Sequence, residues 1–87
     1  MTNDQIEAFF QNAKLKQRKV KIDFKTRNSI VGLFIESKDS AELNVKNFWR
    51  IVNEPKINEF LKENDVSAAR IFNGSEITRL SIIKEKN

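Results

Sequence analysis

The sequence predicts a mainly β single domain: a small five-stranded antiparallel barrel with an N-terminal α-helix and a short helical insertion between the third and fourth strands. Three observations predict it. The hydrophobic period changes from 3.6 to 2 near residue 20. The apolar runs that follow are short and are divided by Ser, Asn, Asp and Gly. Gly32 sits inside the most apolar of these runs, where a bend or a close backbone approach is the usual reason for a glycine. Closing such a sheet on itself removes its edges.

The helix comes first, over about residues 3–16. Thr2 and Gln5 have the spacing of a capping box, in which each side chain satisfies the other's backbone amide. Ile6, Phe9, Phe10 and Ala13 fall on one stripe. Asp4 and Glu7 lie early, and Lys14 and Lys16 late, the favourable order for the helix dipole.

Strands one to three are expected within residues 20–52. Val20, Ile22 and Phe24 alternate with Lys21, Asp23 and Lys25, giving one buried and one wet face. Thr26 to Ser29 is a turn, and Ser29 to Glu36 is a second, more central strand. Glu36 to Ser40 is a polar loop. Glu42 to Val52 reads as a third strand, with Leu43 and Val45 on alternate positions and a bulge or bend at Phe48-Trp49. A helical insertion then covers residues 53–66. Asn53 is its candidate N-cap, Pro55 lies in the first turn, Ile57, Phe60 and Leu61 form its stripe, and Asn64 is a stop. Strands four and five occupy residues 67–83, from Val66 to Phe72 and from Glu76 to Ile83, on either side of an Asn73-Gly74 turn. Lys84 to Asn87 is a frayed tail.

Composition narrows the function classes. With 87 residues the chain is one domain by length. A domain of this size buries only about 60–65% of its unfolded surface, so self-association is a natural supplement to its core. Cysteine and histidine are both absent, which removes thiolate zinc sites and the commonest general base. Tyrosine is absent too, the serines have no neighbouring base, and two glycines make no phosphate loop. The chain is therefore not expected to be an enzyme, and no cofactor or small-molecule substrate is expected. Glu36, Asp39 and Glu42 are the one acidic cluster, but they lack the glycine and the ligand number of a calcium loop. No segment has the apolar length of a membrane span or the form of a signal peptide, so a cytoplasmic protein is expected, and the Asn, Lys and Ile richness suggests a bacterial one.

Charge is distributed unevenly. The net charge is +4. Residues 1–13 carry −2, residues 14–27 carry seven basic groups against Asp23, and residues 36–87 hold nine basic and nine acidic groups. The basic stretch is either a footprint for an anionic partner or a solvated edge that discourages strand pairing. It is not one patch. Lys14 and Lys16 close the helix, Arg18 and Lys19 occupy its junction with the sheet, Lys21 and Lys25 lie on a wet strand face, and Arg27 is in a turn.

The order of these elements resembles the Sm-like fold, an SH3-like barrel, and within it the bacterial Hfq family. The stretch Phe9-Phe10-Gln11-Asn12-Ala13 running into Lys14, Lys16, Arg18 and Lys19 resembles the end of the family's first helix. Gly32 stands at its bend glycine, and Ile71-Phe72-Asn73-Gly74-Ser75-Glu76-Ile77 resembles its second motif, with Asn73 in place of the usual arginine. The Lys-His pair of Hfq is absent, Asp39 to Asn44 does not match the base-holding loop, and residues 53–66 are an insertion. The resemblance implies a homo-oligomeric ring that binds single-stranded RNA. In it Lys14, Lys16, Arg18 and Lys19 form a basic rim on the RNA backbone, with Lys38, Asn73 and Gly74 as further contacts. The alternative is a small barrel serving protein–protein assembly without nucleic acid.

Overall fold

The computed structural model describes residues 1–13 and 19–83. Helix α1 spans Asn3–Ala13. The expected extension over residues 14–16 and the tail from Lys84 to Asn87 lie outside the described residues. The capping box is formed: the Thr2 amide donates to Gln5 Oε1 at 2.9 Å, and the Gln5 amide donates to Thr2 Oγ1 at 3.2 Å. Ile6 on the apolar stripe is fully buried, and Phe9 and Phe10 pack beside it.

Five strands form one antiparallel sheet: β1 (Val20–Phe24), β2 (Ile30–Phe34), β3 (Phe48–Asn53), β4 (Arg70–Asn73) and β5 (Ile77–Ile82). Their spatial order is β4-β3-β2-β1-β5. Among the described residues the hydrogen-bonded ladder is not closed, because β4 pairs only with β3 and β5 only with β1. The sheet is nevertheless curled. Phe72 of β4 and Ile77 and Leu80 of β5, from opposite ends of the ladder, share one core with Val20, Ile22, Trp49, Ile51 and Ile6. Rings step from the helix into this core, with Phe10 on Phe34 at 4.7 Å and Phe34 on Trp49 at 5.9 Å between centroids.

Gly32 lies on the concave face, opposite Val20 on one side and Asn53 on the other. A Cβ built there would stand 2.6 Å from Ile51 Cγ2 and 3.2 Å from the Val52 carbonyl oxygen. The close approach expected of this glycine is present.

Three strand expectations are corrected. Residues 40–45 of the expected third strand form a short helix, α2 (Ser40–Val45), and β3 begins only at Phe48. Local bonds at Ser37, Asp39 and Ser40 compete with a ladder: the Ser37 amide donates to Ser40 Oγ at 2.6 Å, and Ser37 Oγ donates to Asp39. Asn47 then turns the chain with a φ of 65°. Val45, expected to alternate into the core, is 77% exposed. The expected bulge falls at Asp23/Phe24 and not at Phe48-Trp49. Likewise residues 66–68 form a 3-10 turn and not strand, because Asp65 accepts from the amide and hydroxyl of Ser67.

The insertion between β3 and β4 is helix α3 (Glu54–Glu63). Pro55 lies in its first turn, and Asn64 ends it in the left-handed region at φ 56°. Asn53 has extended N-cap backbone but makes no side-chain cap bond. Ile57 and Phe60 pack on Leu33 and Val52, on the convex face of the sheet, to make a second core. This explains why β2 reads as continuously apolar: it is covered on both faces. Among the described residues no helix is long and apolar enough to cross a membrane.

Candidate functional site

The basic junction after α1 is only partly visible. Lys14, Lys16 and Arg18 lie outside the described residues. Lys19 is half-buried just before β1, at the end where Val20 pairs with Gly32 and Ile82. Lys38 is exposed in the connection between β2 and α2. Asn73 and Gly74 stand where β4 passes into the 3-10 turn Gly74–Glu76.

That turn meets the far end of the β2–β3 connection. The Gly74 amide donates to the Asn47 carbonyl at 2.7 Å. Asn47 Oδ1 accepts from the Trp49 indole at 2.9 Å, and Asn47 Nδ2 donates to the Met1 carbonyl at 2.9 Å. The Met1 amino group donates to the Gly74 carbonyl at 2.9 Å and also to the Ile77 carbonyl. Gly74 is buried and its backbone is used internally. Asn73 is exposed. Its Oδ1 accepts from the amide and hydroxyl of Ser75, and among the described residues its Nδ2 has no partner. The described hydrogen bonds and strand pairs join Gly74 to Asn47 and Asn73 to Ser75 and Phe48, and none joins either to Lys19 or Lys38.

The acidic cluster is dispersed by an ion pair. Arg50 of β3 grips Asp39 with two bonds, Nε to Oδ1 at 3.2 Å and a second N–H to Oδ2 at 2.6 Å. Among the described residues no group of three potential metal ligands is assembled. The bonds from Arg50 and then Ser37 hold the Asp39 carboxyl down at about 2. A folded-state value below the unfolded one means that the pair supports the fold above the ordinary aspartate range, with this support lost as pH falls towards 2. Arg50→Gln is expected to raise the Asp39 pKa towards the ordinary aspartate value without reaching it, because Ser37 Oγ still donates to the carboxylate, read by NMR titration of its carboxyl carbon.

Of the other described cations, Lys21, Lys25, Arg27 and Arg79 lie on or around β1, while Lys46 caps α2, Lys56 and Lys62 lie on α3 and Arg70 opens β4. Lys21 is 4.0 Å from Asp23, a weak exposed pair. Across the ladder Asp23 faces Arg79 and Lys21 faces Ser81. Helix α3 packs over β2 and β3, on Leu33 and Val52. The β1–β5 part of this face carries the exposed Lys21 and Arg79. At the other end of β1, the Arg27 guanidinium lies 5.1 Å from the Phe24 ring centroid and 5.6 Å from that of Phe72. A concavity opens here between the β1–β2 turn and β4. No local pattern announces it, because Phe24 and Phe72 come from strands far apart in sequence. The role of Asn47 was equally hidden, although asparagine is one of the residues enriched at positive φ.

The chain matches no protein-family model, no curated protein and no solved structure.

Proposed function

We propose that the protein is an Sm/Hfq-like RNA-binding module that acts as a homo-oligomer in the cytoplasm. It contacts the backbone of single-stranded RNA through a basic rim formed by Lys14, Lys16, Arg18 and Lys19, with Lys38 and Asn73 nearby in the assembly. The observation that carries this reading is the strand order β4-β3-β2-β1-β5, all antiparallel, with a helix leading into a basic junction. Among the described residues neither outer strand has a second ladder partner, and each carries an exposed isoleucine, Ile71 on β4 and Ile82 on β5. Pairing the β4 edge of one copy with the β5 edge of the next would satisfy the backbone groups along these edges and complete a barrel wall between subunits.

Fluorescence anisotropy with U-rich and A-rich single strands tests the RNA part. The wild type is expected to bind with a steep salt dependence. The triple substitution Lys16→Ala, Arg18→Ala, Lys19→Ala is expected to flatten the slope of log K against log salt by about 2, since each single-strand phosphate contact contributes roughly 0.7. Absence of binding to either strand at about 50 mM salt would overturn the reading.

The outer edges and the exposed Ile71 and Ile82 equally favour a second reading, a protein–protein assembly module without RNA. In that case the oligomer is stable after nuclease treatment and neither strand changes its anisotropy.

A further inference from the structure

We infer that the concavity beside Arg27 is a seat for one base of a single-stranded RNA, stacked against the Arg27 guanidinium that forms one of its walls. This rests on the RNA-binding reading and adds to it a site at the other end of β1 from Lys19. Lys19 precedes the first residue of β1 and Arg27 follows the last, so the two cations lie at opposite ends of that strand.

The geometry holds the guanidinium in place. Phe24 and Phe72 stand 5.7 Å apart with a 30° angle between their planes, and Arg27 lies over both. Arg27 is exposed and, among the described residues, joins no ion pair. The guanidinium, which lines the concavity, is left for a ligand. Arginine planes serve as stacking surfaces for unpaired bases in RNA recognition.

The walls are fixed independently of Arg27. The Lys25 amide donates to the Glu76 carbonyl at 2.9 Å, and Thr78 Oγ1 donates to the Asp23 carbonyl at 3.2 Å. These bonds tie the end of β1 to the β4–β5 turn, which Asn73 and Ser75 stiffen from within. The site is thus largely pre-formed, as ligand sites generally are.

Size and polarity select the occupant. The concavity measures about 210 Å³, below the roughly 300–1,000 Å³ of sites for drug-sized molecules. It suits one flat ring system. Its apolar lining is Phe24, Phe72 and Ile71, and its polar rim is Thr26, Asn73 and Glu76. The free Asn73 Nδ2 and the Glu76 carboxylate offer a donor and an acceptor to the edge of a base. Glu76 repels a phosphate from the interior. The phosphate stays at the mouth, on the N–H rim of Arg27.

The test separates the plane of Arg27 from its charge. Arg27→Lys keeps the charge and removes the plane, and Arg27→Ala removes both. With full-length protein and a single-stranded RNA decamer, Arg27→Lys is expected to weaken binding about tenfold with the salt slope unchanged, the scale of losing one stacked base. Arg27→Ala is expected to weaken it further and to flatten the slope by about 0.7. Uridine and adenosine monophosphate are expected to shift the NMR signals of the Ile71 methyls and the Asn73 side-chain amide. Melting curves and unchanged core resonances verify that each variant is folded. Decamer binding by the wild type with Arg27→Lys equal to it, or with mononucleotide shifts elsewhere, would overturn this site and leave the rim reading intact. No decamer binding by the wild type would overturn both.

Discussion

Replacing Gly32 by valine is expected to destabilise the fold by about 3 kcal/mol, the upper part of the usual range for overpacking a core. The first atom added already meets Ile51 Cγ2 at 2.6 Å and the Val52 carbonyl oxygen at 3.2 Å. Neither neighbour yields easily. Ile51 is fully buried on the central part of β3, its χ1 is stiff because it is β-branched, and Val52 presents backbone. For a domain of this size each kcal/mol shifts Tm by about 4–8 °C, so the expected fall is roughly 12–24 °C. Gly32→Ala is expected to cost less, about 1–2 kcal/mol. The cause is checked by a double-mutant cycle with Ile51→Ala, which alone costs about 2–5 kcal/mol through its cavity. Because Ile51→Ala removes the methyl that the new Cβ meets, the pair is expected to be less destabilised than the sum of the singles. Strict additivity in thermal or urea unfolding would show that Gly32 is not there for close approach to Ile51.

Gly74→Ala is the second large effect, at about 2–3 kcal/mol. A Cβ at Gly74 would stand 2.1 Å from Asn47 Oδ1 and 2.7 Å from Asn47 Cγ. The Asn47 side chain must move, and two bonds go with it: the one it accepts from the Trp49 indole and the one it donates to the Met1 carbonyl. Trp49 is buried, so its N–H is left unpaired away from water. The conformation of Gly74 itself is not the issue, since its φ is not positive. Asn47 is the residue at positive φ, which a glycine adopts without strain. Asn47→Gly therefore keeps the turn and loses only the side-chain bonds. The double variant Asn47→Gly, Gly74→Ala is expected to be no less stable than Asn47→Gly alone. A double variant much less stable than Asn47→Gly would place the cost elsewhere than in this contact.

How far the sequence carries can be argued from particular residues. Thr2, Gln5, Ile6 and Phe9 announce α1 because a cap and a stripe are local signals. Pro55 and Asn64 bound α3 for the same reason, and Gly32 announces close approach because little else explains a glycine inside an apolar strand. Leu43 and Val45 mislead because two apolar residues two apart suit either a strand or one turn of helix. The polar signal that decides between them is Ser37, Asp39 and Ser40, which bond locally. The second core was hidden as well. A stripe of Ile57 and Phe60 says that α3 docks, but only the register of β2 and β3 puts Leu33 and Val52 beneath it. The seat at Arg27 requires Phe24 and Phe72, from the first and fourth strands, to meet across a curled sheet, and no periodicity encodes that.

The gap between fold and function has the same origin. Strand order and outer edges follow from pairing, while the use of a basic stretch depends on what it meets. Lys21 and Arg79 on the wet face both lie beside Asp23, whereas Arg27 sits over aromatic rings and, among the described residues, joins no ion pair. The claim that joins these observations is that several copies assemble and present the basic junctions to RNA. Its most direct test is the solution mass by light scattering after nuclease treatment, with and without added single-stranded RNA. The expected result is a defined multiple of the 10.2 kDa chain that gains the mass of bound RNA. A 10.2 kDa monomer whose mass RNA does not change would contradict it.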